Sequence, residues 1–301
     1  MKLTILGCHS ATPRVSTHPT AQVLEIKNHL FLIDCGEGTQ VLLRQYKVKF
    51  SRIKHIFISH LHGDHYFGLV GLISTFRLLM READLHIYGP KGIKELITLQ
   101  MKLADSWTNY KLFFHELTSK GSEMIFEDDG VEVHTIPLDH RIYTNGFLFK
   151  EKPSERKLDI NKVVEAKIDL AYYRKLKQGH DVTNEEGVLI ANESVTHPGP
   201  KPKSYAFCSD TAYNEKLLPS VQNVGTLYHE ATFLEQHASL ARSTKHSTAK
   251  EAAMIAKKAN AELLILGHFS SRYNDLEEFK KEAESVFVNV ELAETGKIFE
   301  L

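Results

Sequence analysis

The chain has 301 residues, 42% of them hydrophobic and 25% charged, the make-up of an ordinary globular protein with ample material for a core. Its formal net charge of −1 excludes a globally basic nucleic-acid binder, so any RNA contact must come from local patches. No apolar run is long enough to cross a bilayer, the N-terminus carries no signal-peptide pattern, and Cys8, Cys35 and Cys208 are too scattered for a disulfide framework, so a cytoplasmic protein without membrane contact is expected.

Residues 3–7 predict a first strand, and a turn-rich surface stretch follows it. Residues 22–26 and 30–33 predict a strand pair joined at Lys27, Asn28 and His29. The second strand closes in Asp34-Cys35-Gly36-Glu37-Gly38-Thr39-Gln40, whose glycines allow a sharp turn. Two roles stay open for Asp34. It accepts hydrogen bonds from nearby metal-binding histidines, or it caps a helix over 37–44. Next, Ile56-Phe57-Ile58-Ser59 predicts a buried strand and the apolar stretch 67–80 a helix. Between them stands His60-Leu61-His62-Gly63-Asp64-His65, on a strand-to-helix loop at a sheet edge, where ligands usually bind. Three imidazoles and a carboxylate at this spacing suit a divalent metal such as zinc, with nitrogen and oxygen donors because no cysteine accompanies them. His60 and His62, two apart on an extended loop, can share one ion, and Asp64 and His65 lie beyond the Gly63 turn within reach of a second.

The pattern continues as a strand over 85–89, a helix over 93–103 and strands over 112–117 and 131–137, which argues for a mixed sheet covered by helices. The last strand ends in Pro137-Leu138-Asp139-His140, so His140 stands at a strand end, where a third ligand for the first ion could be supplied. From 150 to 177 nine basic residues meet five acids, a local net charge of +4, and Tyr172 and Tyr173 lie among them. Cations interleaved with aromatics suit phosphate contact and base stacking, although a solvated face looks similar. Residues 150–203 read as an insertion projecting from the domain rather than as a second core. The scaffold resumes over 204–211, delivering Asp210 at a strand end, and a strand over 226–228 runs into His229-Glu230-Ala231-Thr232. In the loop Lys245-His246-Ser247-Thr248, Ser247 is expected to cap a helix over 249–259. An apolar strand over 263–267 ends at His268, and a helix over 276–286 and a short strand finish the chain. If Asp210 bridges, these strand ends supply enough ligands for two metals.

On these stretches the chain resembles the metallo-β-lactamase superfamily and, within it, the ribonuclease Z family. The central histidine motif marks the superfamily. His229-Glu230-Ala231-Thr232, His246-Ser247-Thr248 and a basic insertion before Asp210 point to ribonuclease Z. The resemblance covers nearly the whole chain and implies an α/β (α+β) fold, an αββα four-layer sandwich. It implies one catalytic domain over 1–301 with a flexible tRNA-binding arm inserted at 150–203, usually in a homodimer. By position it implies two Zn²⁺ per subunit, the first on His60, His62 and His140, the second on Asp64, His65 and His268, with Asp210 between them; Mn²⁺ or another divalent metal is an alternative. The implied activity is endoribonucleolytic removal of the 3′ trailer from precursor tRNA after the discriminator nucleotide, leaving a 3′-hydroxyl, with no DNA partner. Asp64 is then implied to orient the attacking water, His246 to protonate the leaving 3′ oxygen, and Glu230 to hold the His246 imidazole. Lys150, Lys152, Arg156, Lys157, Arg174, Lys175 and Lys177 are implied to grip the tRNA. The other eleven histidines, His134 and His229 among them, read as structural or solvated. The competing expectation is a small-molecule phosphodiesterase or other hydrolase of the superfamily, which has no evident use for a basic arm.

Overall fold

The computed structural model describes residues 1–301, apart from the side chain of Phe50. The chain forms two compact units, one of residues 1–150 and 203–301, the other of residues 151–202.

The larger unit holds two seven-stranded sheets. In spatial order the first runs Ile298–Glu300, Lys2–Gly7, Ala21–Ile26, His29–Ile33, Ile53–Phe57, Leu85–Pro90 and Leu112–Leu117. Its last four strands are mutually parallel, whereas the first joins are antiparallel. The second runs Val290–Leu292, Leu263–Gly267, Thr226–Glu230, Ser204–Cys208, Asn145–Glu151, Val131–Pro137 and Met124–Glu127. Its first four strands are parallel.

Strands that are apolar on both faces must be covered on both. In the first sheet Val23, Leu32, Ile56 and Ile87 pack outward against helices Thr39–Gln45, Gly68–Leu78 and Ile93–Leu103. The alternate positions, Leu24, Phe31, Phe57 and Tyr88, join the core shared with the second sheet. Aromatic rings close that interface: Phe57 meets Phe149 edge to face at 5.3 Å, while Phe31 lies tilted 5.5 Å from Phe149 and Phe57 tilted 5.4 Å from Phe147. Each fully buried phenylalanine contributes roughly 1.5–3 kcal/mol of transfer free energy. Helices Ala249–Lys258 and Glu277–Glu284 cover the outer side of the second sheet.

Two local expectations are corrected. The helix after Asp34 begins at Thr39, with Gly38 at its N-cap in a left-handed conformation (φ 81°), so Asp34 is no cap. The helix Ala249–Lys258 is capped by Thr248, not Ser247: Thr248 Oγ1 accepts from the Glu251 N–H while Glu251 accepts from the Thr248 N–H, a reciprocal box. Ser247 instead donates its hydroxyl to the Thr211 carbonyl.

The smaller unit contains helices Ile160–Glu165, Tyr173–Lys177 and Asn192–Val195 and two short antiparallel ladders, Lys157–Leu158 with Thr196–His197 and Val182–Thr183 with Leu189–Ile190. Val163, Ile168, Leu176, Val182 and Val195 form an apolar cluster of its own. A small core therefore exists where the charge-rich sequence pointed to none.

Candidate metal centre and active-site cleft

Parallel strands put their loops at one edge, and the functional side chains gather there. His60, His62, Asp64 and His65 follow Ile53–Phe57, His140 follows Val131–Pro137, Asp210 follows Ser204–Cys208, and His268 follows Leu263–Gly267. Asp34, Asp210 and His268 adopt left-handed backbone, with φ of 55°, 58° and 60°. Such a conformation costs a non-glycine residue of order 1–3 kcal/mol, and the surrounding structure has to hold it. Gly36 and Gly68 let the turn after Asp34 lie backbone to backbone with the histidine motif, because a Cβ at Gly36 would meet the Asp64 carbonyl at 2.6 Å and one at Gly68 the Gly36 carbonyl at 2.1 Å.

The outer nitrogens of four imidazoles are spoken for. His65 Nδ1 donates to Asp34 Oδ2 at 2.7 Å, and His140 Nδ1 donates to the Lys245 carbonyl at 2.9 Å. Ser59 Oγ donates to Asp34 Oδ2 at 2.9 Å and so accepts from His60 Nδ1 at 3.0 Å. Thr232 Oγ1 donates to Glu230 Oε2 at 2.6 Å and so accepts from His268 Nδ1 at 2.9 Å. These bonds fix the tautomers and turn every Nε2 lone pair inward. Of the two roles open for Asp34, it takes that of hydrogen-bond acceptor behind the cluster.

The inward atoms then face one another across a short gap, and at His65 burial is outweighed by the Asp210, Asp64 and Asp34 carboxylates, which raise the imidazole pKa well above its ordinary value. His60 Nε2 lies 2.9 Å and His140 Nε2 3.2 Å from His62 Nδ1. Asp210 Oδ2 stands 3.7 and 3.8 Å from His60 and His140, while its Oδ1 stands 3.1 and 3.2 Å from His65 Nε2 and His268 Nε2. Asp64 Oδ2 lies 3.4 and 3.5 Å from the same two nitrogens. His65 Nε2 is buried without a hydrogen-bond partner. Opposed lone pairs at these separations repel unless a cation lies among them, and N/O donors around 3 Å apart are the edges of a coordination shell with bonds of about 2.0–2.2 Å. The residues fit divalent metal: His60, His62, His140 and Asp210 could hold one ion, and Asp64, His65 and His268, with the second Asp210 oxygen, another. Burial would raise the Asp64 and Asp210 pKa values, but the facing imidazoles hold both below the usual carboxylate range. Burial, chiefly, lowers those of His60, His62 and His140, leaving neutral imidazole ready to bind.

Beside this cluster, His246 Nδ1 donates to Glu230 Oε1 at 2.7 Å, and the His246 ring stacks on His268 with centroids 5.4 Å apart. Glu230 is anchored in turn by the Thr211 and Thr232 N–H groups. Burial alone would lower the His246 pKa; the Glu230 carboxylate outweighs it and lifts the value to about 9. A protonated imidazole therefore lines the same cleft as Asp64, a space of about 460 Å³.

Several residues there were not singled out from the sequence. Arg141 and Arg272 bring cations to the cleft wall, and Thr232 ties Glu230, His246 and His268 together. Arg141 directly follows His140 and Arg272 stands four residues past His268, so proximity to a ligand was the available signal. In the smaller unit Arg156, Lys157, Arg174 and Lys177 share an open pocket of about 730 Å³ with Tyr173 and Glu155. Lys175 lies over the Tyr172 ring. Lys150 belongs to the strand Asn145–Glu151 and pairs with Glu132 at 3.3 Å, and Lys152 is not among the pocket residues.

Comparison with known proteins gives three kinds of likeness. A family model described as anti-Pycsar protein Apyc1 matches residues 1–292. The chain is similar to the ribonuclease Z of Bacteroides fragilis, 46% identical over 292 residues that make up 97% of this chain and 96% of that protein. Among solved structures it is similar to the short form of human tRNase Z, with a TM-score of 0.73, 28% identity and coverage of 100% of this chain and 99% of that one. The metallo-β-lactamase fold protein YhfI of Bacillus subtilis shares the fold at a TM-score of 0.69 and 19% identity, over 99% of each chain.

Proposed function

The chain belongs to the ribonuclease Z family and is a metal-dependent endoribonuclease of tRNA 3′ processing with a metallo-β-lactamase fold; we propose that it cuts precursor tRNA just after the discriminator nucleotide and leaves a 3′-hydroxyl. The observation that carries the proposal is the convergence of imidazole and carboxylate donor atoms from four strand ends, with Asp210 at the centre. His60, His62 and His140 would hold one divalent ion and Asp64, His65 and His268 another, with Asp210 within reach of both; Zn²⁺ suits the donor set best, Mn²⁺ less well.

When bound, the two ions neutralise phosphodiester charge and acidify a water for attack. The protein's own groups do the rest. Asp64, anionic at the cleft wall, orients the water and takes its proton. Arg141 and Arg272 attract the phosphate. His246, protonated through Glu230, gives its proton to the ribose 3′ oxygen as the P–O bond breaks. Arg156, Lys157, Arg174 and Lys177 in the smaller unit contact tRNA phosphates without reading sequence. The scattered cysteines suit a reducing cytoplasm, and the family resemblance implies a homodimer.

The test is cleavage of a precursor tRNA with a 3′ trailer, mapping the cut and its ends before chelation, after it, and after Zn²⁺ or Mn²⁺ is restored. Metal-dependent cutting after the discriminator with a 3′-hydroxyl is expected. A metal-loaded protein that spares the precursor yet hydrolyses a small phosphodiester would move the assignment to small-molecule phosphodiesterase.

A further inference from the structure

A second cavity of about 290 Å³ adjoins the cleft, and the two share Ser10, Ala11, Thr12, Gly63 and Asp64. Its walls include Pro13, Pro19, His18, Glu37 and Phe67. Phe67 is 61% exposed although it lies two residues past His65. Its ring rests on the backbone of Gly63, where a Cβ would lie 2.2 Å from the ring edge, and its N–H donates to the Gly63 carbonyl at 2.9 Å. An aromatic held on the backbone of the histidine motif, with its outer part open and Pro13 and Pro19 lining the same cavity, has the form of a stacking platform. The volume suits one nucleoside, being just below the range of drug-sized sites. No Lys or Arg lines the cavity and Glu37 does, which disfavours a phosphate there and favours the hydrogen-bond donors of a base edge.

Which nucleotide enters follows from the chemistry. His246 donates to the leaving 3′ oxygen, so the discriminator nucleotide lies on the His246 side. The second cavity contains Asp64 but not His246. We propose that this cavity binds the first nucleotide of the trailer, the one that keeps the phosphate, and that Phe67 stacks on its base. The inference rests on the endoribonuclease reading and adds a specificity determinant to it.

The experiment compares wild type, Phe67→Ala and Phe67→Tyr on precursor tRNAs whose first trailer nucleotide carries a base or is abasic, reading kcat/KM, metal content and molecular size. Wild type should lose about 10-fold on the abasic substrate, in keeping with alanine substitutions at stacking sites. Phe67→Ala should lose a similar factor on the base-bearing substrate and nothing further on the abasic one, while Phe67→Tyr behaves as wild type. Equal losses by Phe67→Ala on both substrates, base-insensitive cleavage by wild type, or a change in oligomeric size accounting for the loss would each overturn the assignment, the last in favour of a subunit contact. A wild type that cleaves no precursor would overturn the endoribonuclease reading as well, which keeps the two failures distinct.

Discussion

His246 and Glu230 behave as one device. The carboxylate takes its hydrogen bond from the imidazole at 2.7 Å, is itself fixed by two backbone N–H groups, and raises the imidazole's proton affinity. Removing either partner should therefore cost nearly as much as removing both. His246→Ala should lower kcat by roughly 10²–10⁴, Glu230→Gln by a comparable factor, and the double variant by little more than the larger single loss. Metal content by elemental analysis should stay at the wild-type level in all three. A strictly additive double variant would show two independent roles instead.

The loops do most of their work from the ends of elements, and that governs what the sequence disclosed. Apolar runs followed at once by histidine or aspartate were legible because a strand end and a ligand type coincide, as at His60, His140, Asp210 and His268. Strands Met124–Glu127 and Asn145–Glu151 were not, because their short runs, lying beside charged stretches, lack a clean alternation and depend on pairing with neighbours. Thr248 rather than Ser247 caps its helix because the cap is chosen by which hydroxyl faces the Glu251 N–H, a one-residue matter of backbone direction that composition does not carry. No role was assigned to Ser59, Thr232 or Arg141 for a similar reason: hydroxyls and single cations are common, and only the fold shows which of them touches an imidazole or a cleft. In the smaller unit, Arg174 and Lys177 both belong to the helix Tyr173–Lys177 and line the basic pocket. Replacing both by alanine should weaken precursor binding and reduce the slope of log K against log salt by about 1 per lost phosphate contact. Turnover of a small phosphodiester should not change. An unchanged salt slope would place the tRNA contacts elsewhere.

Across the whole molecule, the inner face of the first sheet carries a second group of histidines that does not belong to the cleft. His55 stacks on His86 at 5.0 Å, His86 Nδ1 meets His115 Nε2 at 3.0 Å, and His29 lies edge-on to His55 while pairing with Asp128 at 2.6 Å. Burial, then the neighbouring imidazoles, lowers the His55 pKa to about 3. An unfolded chain would take up that proton near pH 6.5. Below that point the unfolded state binds more protons, so the stabilisation held above pH 6.5 drains away as the pH falls toward 3. Denaturant unfolding from pH 7 to 4 should show this decline, and His55→Leu should flatten it; an unaltered slope would assign the acid sensitivity to other groups. The gathering of the His/Asp cluster from separate strand ends has a consequence of another kind, for the order of events in folding. Asp64 and His268 meet across 204 positions of chain, and Asp210 reaches its partners only when both sheets have formed. Contacts of such sequence separation close late, because their loop entropy must be met before they yield anything. A chain still being synthesised has made His60, His62 and His65 long before His268 emerges. Such a chain cannot act on precursor tRNA until the segment that carries His268 has been released.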